Sequence, residues 1–92
     1  MMLSKSKIKL INSLSQKKFR DETGLFVAEG TKLVLDLASS FHCSMLVATA
    51  DWLKSNPTIK TDELIESTEN ELNKISNQKS PQGVLAVFVK PD

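Results

Sequence analysis

Residues that build covalent cross-links or metal sites are almost missing from this sequence, which has one cysteine, Cys43, and one histidine, His42. A single cysteine excludes an internal disulfide, and one cysteine with one histidine cannot form a Cys-rich zinc site. A catalytic triad would need His42 as its base, but His42 adjoins Cys43 at a helix-to-strand connection, where neighbouring side chains point in different directions. We therefore predict no catalytic residue and no metal site, and we expect Cys43 to be a small buried residue that begins a strand.

Glycine is also scarce, with Gly24, Gly30 and Gly83 as its three occurrences. Glycines this far apart form neither the Walker phosphate loop nor the dinucleotide-binding fingerprint. The sequence therefore predicts no cofactor-binding residue in this chain.

Long apolar runs are absent as well. No stretch approaches the roughly 18 apolar residues that cross a bilayer. At the N-terminus, Lys5, Lys7 and Lys9 stand between the apolar residues and interrupt the compact apolar core that a signal peptide needs. These features predict a cytoplasmic protein without a membrane partner.

The composition that remains is that of an ordinary globular protein. The 92 residues are 40% hydrophobic and 25% charged. This balance excludes collagen-like and disordered chains, and the length allows one core. We expect a single domain over residues 1–92.

Positive charge is concentrated at one end of the sequence, although the net charge is only +1. Residues 1–20 contain no acid and six basic residues, which are Lys5, Lys7, Lys9, Lys17, Lys18 and Arg20. Such a segment permits contact with a polyanion such as nucleic acid. A basic run by itself is nevertheless more often a solvated face, so charge alone does not assign an RNA site.

The apolar pattern of the first half alternates between helix and strand. Leu10, Ile11 and Leu14 share one side of an amphipathic helix that we expect to end near Gln16 or Lys17. The unbroken apolar residues 25–28 predict a central strand that is covered on both faces.

A second helix is expected to follow the Glu29–Gly30 turn, with Thr31 as its N-cap. Residues 45–48 predict another buried strand, and residues 49–53 a short helix that stops at Asn56–Pro57. On that helix we expect Trp52 to pack in the core rather than to stack on a nucleobase.

The third quarter of the chain gives weaker signals, a polar-flanked strand at residues 63–66 and a capping box formed by Thr68 and Glu71. Residues 84–89 are six apolar residues in a row and predict a final strand. Helices that alternate with short apolar strands predict an α/β fold, a three-layer α/β/α sandwich with a mostly parallel sheet.

Two segments resemble a known family of RNA-modifying enzymes. Residues 17–34, KKFRDETGLFVAEGTKLV, resemble the opening of the SpoU/TrmH family of RNA 2′-O-ribose methyltransferases, which has a basic run, a glycine, an apolar strand, Glu-Gly and an amphipathic helix. Residues 80–87, SPQGVLAV, are similar to the segment that joins the accessory domain of that family to its catalytic domain.

The resemblance implies that residues 1–92 form an N-terminal RNA substrate-binding domain, with a fold similar to that of kink-turn-binding ribosomal proteins. A knotted catalytic domain that binds S-adenosylmethionine and forms a homodimer would follow residue 92. On this basis the chain alone is expected to be inactive and to hold no cofactor, while the parent enzyme uses S-adenosylmethionine. The implied partner is structured RNA, with ribosomal RNA preferred over transfer RNA.

The resemblance also implies which residues contact RNA. Lys18, Arg20, Gly30 and Lys32 match the family pattern directly, and the remaining three are weaker matches. The predicted RNA-binding residues are Lys17, Lys18, Arg20, Gly30, Lys32, Gln82 and Gly83.

Two alternatives stay open at this point. Glu29 could pair with Lys18 or Arg20, and Gly30 could be needed only for its backbone angle, so that both residues hold the fold. The whole chain could also be a free-standing kink-turn-type RNA-binding protein with the same fold and no enzymatic partner.

Overall fold

The computed structural model describes residues 4–57, 59–75 and 83–91. Within those ranges the chain forms five helices and four strands. Their order is α1 (Lys5–Ser13), α2 (Lys17–Thr23), β1 (Leu25–Glu29), α3 (Thr31–Ala38), β2 (Cys43–Ala48), α4 (Ala50–Ser55), β3 (Glu63–Glu66), α5 (Glu69–Ile75) and β4 (Val84–Val89). None of the described helices is long and apolar enough to cross a membrane.

The four strands form one mixed sheet in the order β1-β4-β2-β3. β2 and β3 are parallel, whereas β4 is antiparallel to both of its neighbours. The prediction of an α/β fold is confirmed, but the prediction of a mostly parallel sheet is wrong. The reason is a single strand: β1, β2 and β3 run in one direction, and β4 enters between β1 and β2 in the other.

Strand β1 lies at an edge of the sheet, so the prediction of a central strand at residues 25–28 is also wrong. Phe26 and Val27 are only half-buried, and Ala28 is buried. Apolar residues on successive positions show that both faces of a strand are covered by helices. They carry no information about whether a neighbouring strand lies on each side.

The core is divided by the sheet into two clusters. In β4, Val84, Ala86 and Phe88 face one side, where α3 and α4 pack, whereas Leu85 and Val87 face α1 and α5 on the other side. This alternation follows from the two-residue period of a strand. The sheet is therefore covered by helices on both faces, as the sequence predicts.

Cys43 opens β2 as a buried residue, as predicted. An irregularity in the pairing of β2 with β4 lies between Cys43 and Met45. The shift places Cys43 in the same cluster as Leu46 and Ala48, although an undisturbed strand would turn it to the opposite face.

Helix ends match the sequence predictions in part. The capping box is confirmed, since the Thr68 N–H donates to Glu71 Oε1 over 3.0 Å and the Glu71 N–H donates to Thr68 Oγ1 over 3.2 Å. The N-cap of α3 is Gly30 rather than Thr31. Helix α2 was not predicted, because its sequence is almost wholly polar and has no apolar period to reveal it.

Candidate functional site

The turn between β1 and α3 is built around Gly30. Its N–H donates to the Val84 carbonyl over 3.4 Å, and its own carbonyl accepts the Val34 N–H over 3.0 Å. Gly30 is buried and has φ 95° and ψ 144°, a conformation that side-chain-bearing residues avoid. The turn is therefore held to β4 on one side and begins α3 on the other.

Gly83 precedes β4 and Gly30 follows β1, so the two glycines lie at the same end of this antiparallel pair of strands. More than half of the chain separates them in sequence. The Gly83 carbonyl accepts the Thr49 N–H over 3.0 Å. A Cβ atom added to Gly83 would lie 3.3 Å from Thr49 Oγ1 and 3.7 Å from Trp52 Cβ. The segment that enters β4 is thus packed directly on the start of α4.

Trp52 joins these two segments. Its indole Nε1–H donates to Thr31 Oγ1 over 2.9 Å, and it lines an open polar hollow of about 430 Å³ together with Thr31, Thr49 and Gly83. Only 8% of Trp52 is exposed, which supports the predicted packing role. We call the residues that meet here, Gly30, Thr31, Thr49, Trp52 and Gly83, the Gly30 edge.

Helix α2 carries the basic run that the sequence singles out. Lys17 and Lys18 are exposed, and Lys17 Nζ lies 3.1 Å from Asp21 Oδ2. The other carboxylate oxygen of Asp21 accepts from Lys90 Nζ, also over 3.1 Å. These hydrogen bonds, first from Lys90 and then from Lys17, hold the pKa of Asp21 below its usual range.

Arg20, unlike the exposed Lys17 and Lys18, is hydrogen-bonded to the end of α1. Its Nη1–H donates to the Leu14 carbonyl over 2.9 Å, which ties α2 to the end of α1. The side chain also lines a half-open hollow of about 540 Å³ beside β1. Six of the residues around this space, which we call the Arg20 hollow, are Ile11, Leu14, Arg20, Phe26, Glu29 and Leu33.

The structure therefore places the predicted residues in two connected regions. Gly30 and Gly83 meet at the Gly30 edge, and the exposed Lys32 stands on the first turn of α3 beside it. Lys17, Lys18 and Arg20 share α2, and Arg20 reaches the hollow whose other wall includes Glu29 and Leu33. Gln82 lies outside the described residues.

Two residues of this surface were missed by sequence reasoning. Lys90 stands beside Asp21 because its N–H donates to the Gly24 carbonyl over 2.7 Å, and only its charge marks it in the sequence. Leu33 is 49% exposed on α3, whereas a helical pattern assigns it to the core.

His42 and Cys43, the two side chains most suited to catalysis, have different surroundings. His42 Nε2 lies 2.6 Å from Asp62 Oδ2 at an exposed site, and burial raises the pKa of the Cys43 thiol. A raised pKa leaves the thiol protonated and unreactive at neutral pH. Among the described residues no group of histidine, cysteine and carboxylate side chains is arranged to hold a metal ion.

Comparison with known proteins gives a consistent result. Residues 5–86 match the family described as the MRM3-like substrate binding domain. The mitochondrial rRNA methyltransferase 3 proteins of Xenopus laevis and Xenopus tropicalis are each 30% identical over 88 residues, which is 91% of this chain and 21% of theirs.

Solved structures are similar over almost the full chain. A TrmH-family protein from Porphyromonas gingivalis superposes with a TM-score of 0.89 at 38% identity and covers 99% of this chain. The AdoMet-bound rRNA methyltransferase from Sinorhizobium meliloti gives a TM-score of 0.74 at 30% identity over the same share. In both cases the chain spans 37% of the larger protein.

Proposed function

The chain belongs to the family of MRM3-like substrate-binding domains. We propose that it binds structured RNA, preferably ribosomal RNA, as the substrate-binding part of a methyltransferase. The membership confirms the resemblance to SpoU/TrmH-type RNA methyltransferases. The proposed reaction of the whole protein is 2′-O-ribose methylation with S-adenosylmethionine as methyl donor.

A division of labour supports this proposal. The chain covers about a fifth of the length of its Xenopus relatives, and we propose that a catalytic domain lies in the part of the whole protein that this chain does not cover. The three glycines of this chain occupy separate turns, so its own residues do not suit a cofactor loop. We propose that the cofactor site and the homodimer contact both belong to that further domain.

The observation that carries the proposal is the meeting of the two family-like segments at the Gly30 edge. Lys32 stands beside Gly30 on the first turn of α3, and exposed lysines are suited to phosphate oxygens. Lys17 and Lys18 are exposed on α2, the helix whose Arg20 lines the Arg20 hollow. The proposed phosphate contacts are therefore Lys18 and Lys32, with Lys17 and Arg20 as further proposed contacts, and Gly30 and Gly83 stay proposed contacts as well. Gln82 stays a proposed contact.

A free-standing kink-turn-type RNA-binding protein is the second candidate. It would use the same Gly30 edge, and the similarity to kink-turn-binding ribosomal proteins stays a prediction. The methyltransferase relatives favour the first candidate. A cytoplasmic location also stays a prediction, and the two Xenopus relatives are mitochondrial by name.

The test is RNA binding as a function of salt concentration. Lys18→Ala combined with Lys32→Ala is preferable to any change of Arg20, because Arg20 also holds the end of α1. Removing two phosphate contacts should weaken binding of a ribosomal RNA fragment and lower the slope of log affinity against log salt by roughly 1.5 units.

The matched control replaces Lys54 and Lys60, two exposed lysines outside the proposed surface. This control should keep the wild-type affinity and slope. Equal losses in the two double variants would show that binding follows total charge, and the proposed surface would then be wrong.

A further inference from the structure

The Arg20 hollow has a mixed chemistry that phosphate binding does not use. Its wall combines apolar side chains, Leu14, Phe26 and Leu33 among them, with a similar share of polar surface, and Arg20 and Glu29 provide charge at two points. A phosphate group would gain nothing from the apolar side chains. A nucleobase has apolar faces and a polar edge. Its faces suit the apolar side chains of the hollow, and its edge suits the charged ones.

The hollow also lies along the open edge of the sheet. Gly30 is bonded to Val84 of β4 and Gly24 to Lys90, directly after β4, and in an antiparallel pair the bonded residues alternate with unbonded ones. The N–H and C=O groups of Val27 therefore turn away from β4, on the side where Val27 lines the hollow. A donor and an acceptor of fixed position are thus offered to the edge of a bound base.

Arg20 is suited to the same ligand. Its guanidinium is anchored to the Leu14 carbonyl, so its position is set before any ligand arrives. Unpaired RNA bases commonly stack on guanidinium planes and on apolar side chains. Leu33 supplies an exposed apolar surface on the facing helix, where 49% of its area is open to solvent.

Charge around the hollow favours RNA over a protein segment as its occupant. Lys17 and Lys18 lie on α2, which forms one side, and Lys32 precedes Leu33 on α3, which forms the other. Basic residues on both sides would hold the phosphates that flank an extruded nucleotide. The volume of about 540 Å³ is in the range of small-molecule sites.

We propose that the Arg20 hollow receives an unstacked nucleobase of the bound RNA. This inference rests on the proposed RNA-binding function and adds a preference for RNA with an unpaired base. Stacking itself is sequence-tolerant, so any preference among the four bases would come from the donor and acceptor of Val27.

The experiment compares two RNA hairpins of equal length and phosphate count. One hairpin contains a single bulged 2-aminopurine, and the other is fully paired. The wild-type chain should bind the bulged hairpin about tenfold more tightly and change its 2-aminopurine fluorescence. Leu33→Ser should remove most of that tenfold preference and the fluorescence change. It should leave the salt slope unaltered, because no charge is lost.

Leu35→Ser is the matched control. Leu35 lies on the same helix and is 40% exposed, but it lines a different hollow between α3 and the segment after α4. This variant should bind both hairpins within about twofold of wild type. Melting temperatures of both variants verify that the fold is kept.

The outcomes separate this inference from the function on which it rests. If the wild type binds both hairpins equally and the Lys18 and Lys32 replacements still reduce the salt slope, RNA binding stands and the base site is overturned. Binding to neither hairpin overturns both proposals. If Leu33→Ser alters only the sedimentation of the protein, the hollow is a protein contact and the inference is wrong.

Discussion

At the scale of single residues, Gly30 has a backbone conformation that its position in the turn requires. Its φ of 95° and ψ of 144° place it outside the left-handed helical region and close to a region that glycine alone occupies. Asparagine tolerates the left-handed helical region but not this one. Asparagine is therefore no milder a replacement than alanine at this position.

We predict that Gly30→Ala and Gly30→Asn both lower the free energy of unfolding, by about 1–3 kcal/mol each. Urea denaturation followed by the fluorescence of Trp52, the only tryptophan, measures both values. The comparison position is Gly24, which has φ 71° and ψ 21° and no atom within 4 Å of an added Cβ. There Gly24→Asn should cost less than Gly24→Ala. If Gly30→Asn lowers the free energy of unfolding as little as Gly24→Asn does, the backbone conformation described for Gly30 is contradicted.

The residue scale is also where the sequence was most informative about the site. Lys18, Gly30 and Lys32 were named from their pattern, and the structure places Lys32 close to Gly30 and Lys18 on α2. Leu33 and Lys90 were not, because each owes its role to a contact across the fold. A helical period assigns an apolar residue such as Leu33 to the core without revealing that its neighbours leave a hollow.

At the scale of elements, Asp21 joins α2 to the segment after β4 through Lys90. Its pKa is lowered in the folded state, so the stabilisation it gives is present above the unfolded pKa and is lost as pH falls through the folded value. The relevant window therefore lies below the ordinary value of 3.8.

We predict that the carboxyl of Asp21 titrates below 3.8 in the wild type and moves back towards that value when a lysine is removed. Lys90→Gln should cause the larger return and Lys17→Gln the smaller, because the Lys90 hydrogen bond is the leading cause. Side-chain NMR titration follows the carboxyl directly. A larger return of the pKa in Lys17→Gln would show that Asp21 is held mainly by Lys17 within α2 rather than by Lys90 after β4.

Elements were predicted more reliably than their arrangement. The positions of β1, β2 and β4 follow from apolar runs, β3 gives only a weak polar-flanked signal, and the cap of α5 follows from Thr68 and Glu71. The order of strands does not, because the apolar residues of β1 and β4 are alike in character while one strand is at an edge and the other is central. The direction of β4 depends on its pairing with β1 and β2, which local sequence does not encode.

At the scale of the whole molecule, the proposed division between gripping RNA and transferring a methyl group has a direct consequence. We predict that the 92-residue chain shows no S-adenosylmethionine binding and no methyltransferase activity, since its glycines are dispersed among separate turns. Isothermal titration calorimetry with S-adenosylmethionine tests the first point. Micromolar binding to this chain would contradict the placement of the cofactor site in a further domain.

Strand β4 bonds to both β1 and β2, which are not neighbours in the sheet, although it is the last of the four strands that the structure describes. Until its residues are available, the β1 edge and the β2–β3 pair have no shared hydrogen bonds through the sheet. During synthesis on the ribosome, we therefore expect the sheet to remain incomplete until the residues of β4 are available. Pairings between residues so distant along the chain are slow to form, since loop closure precedes the gain from contact. Because β4 joins β1 to β2, we expect its insertion to be the step that completes the sheet.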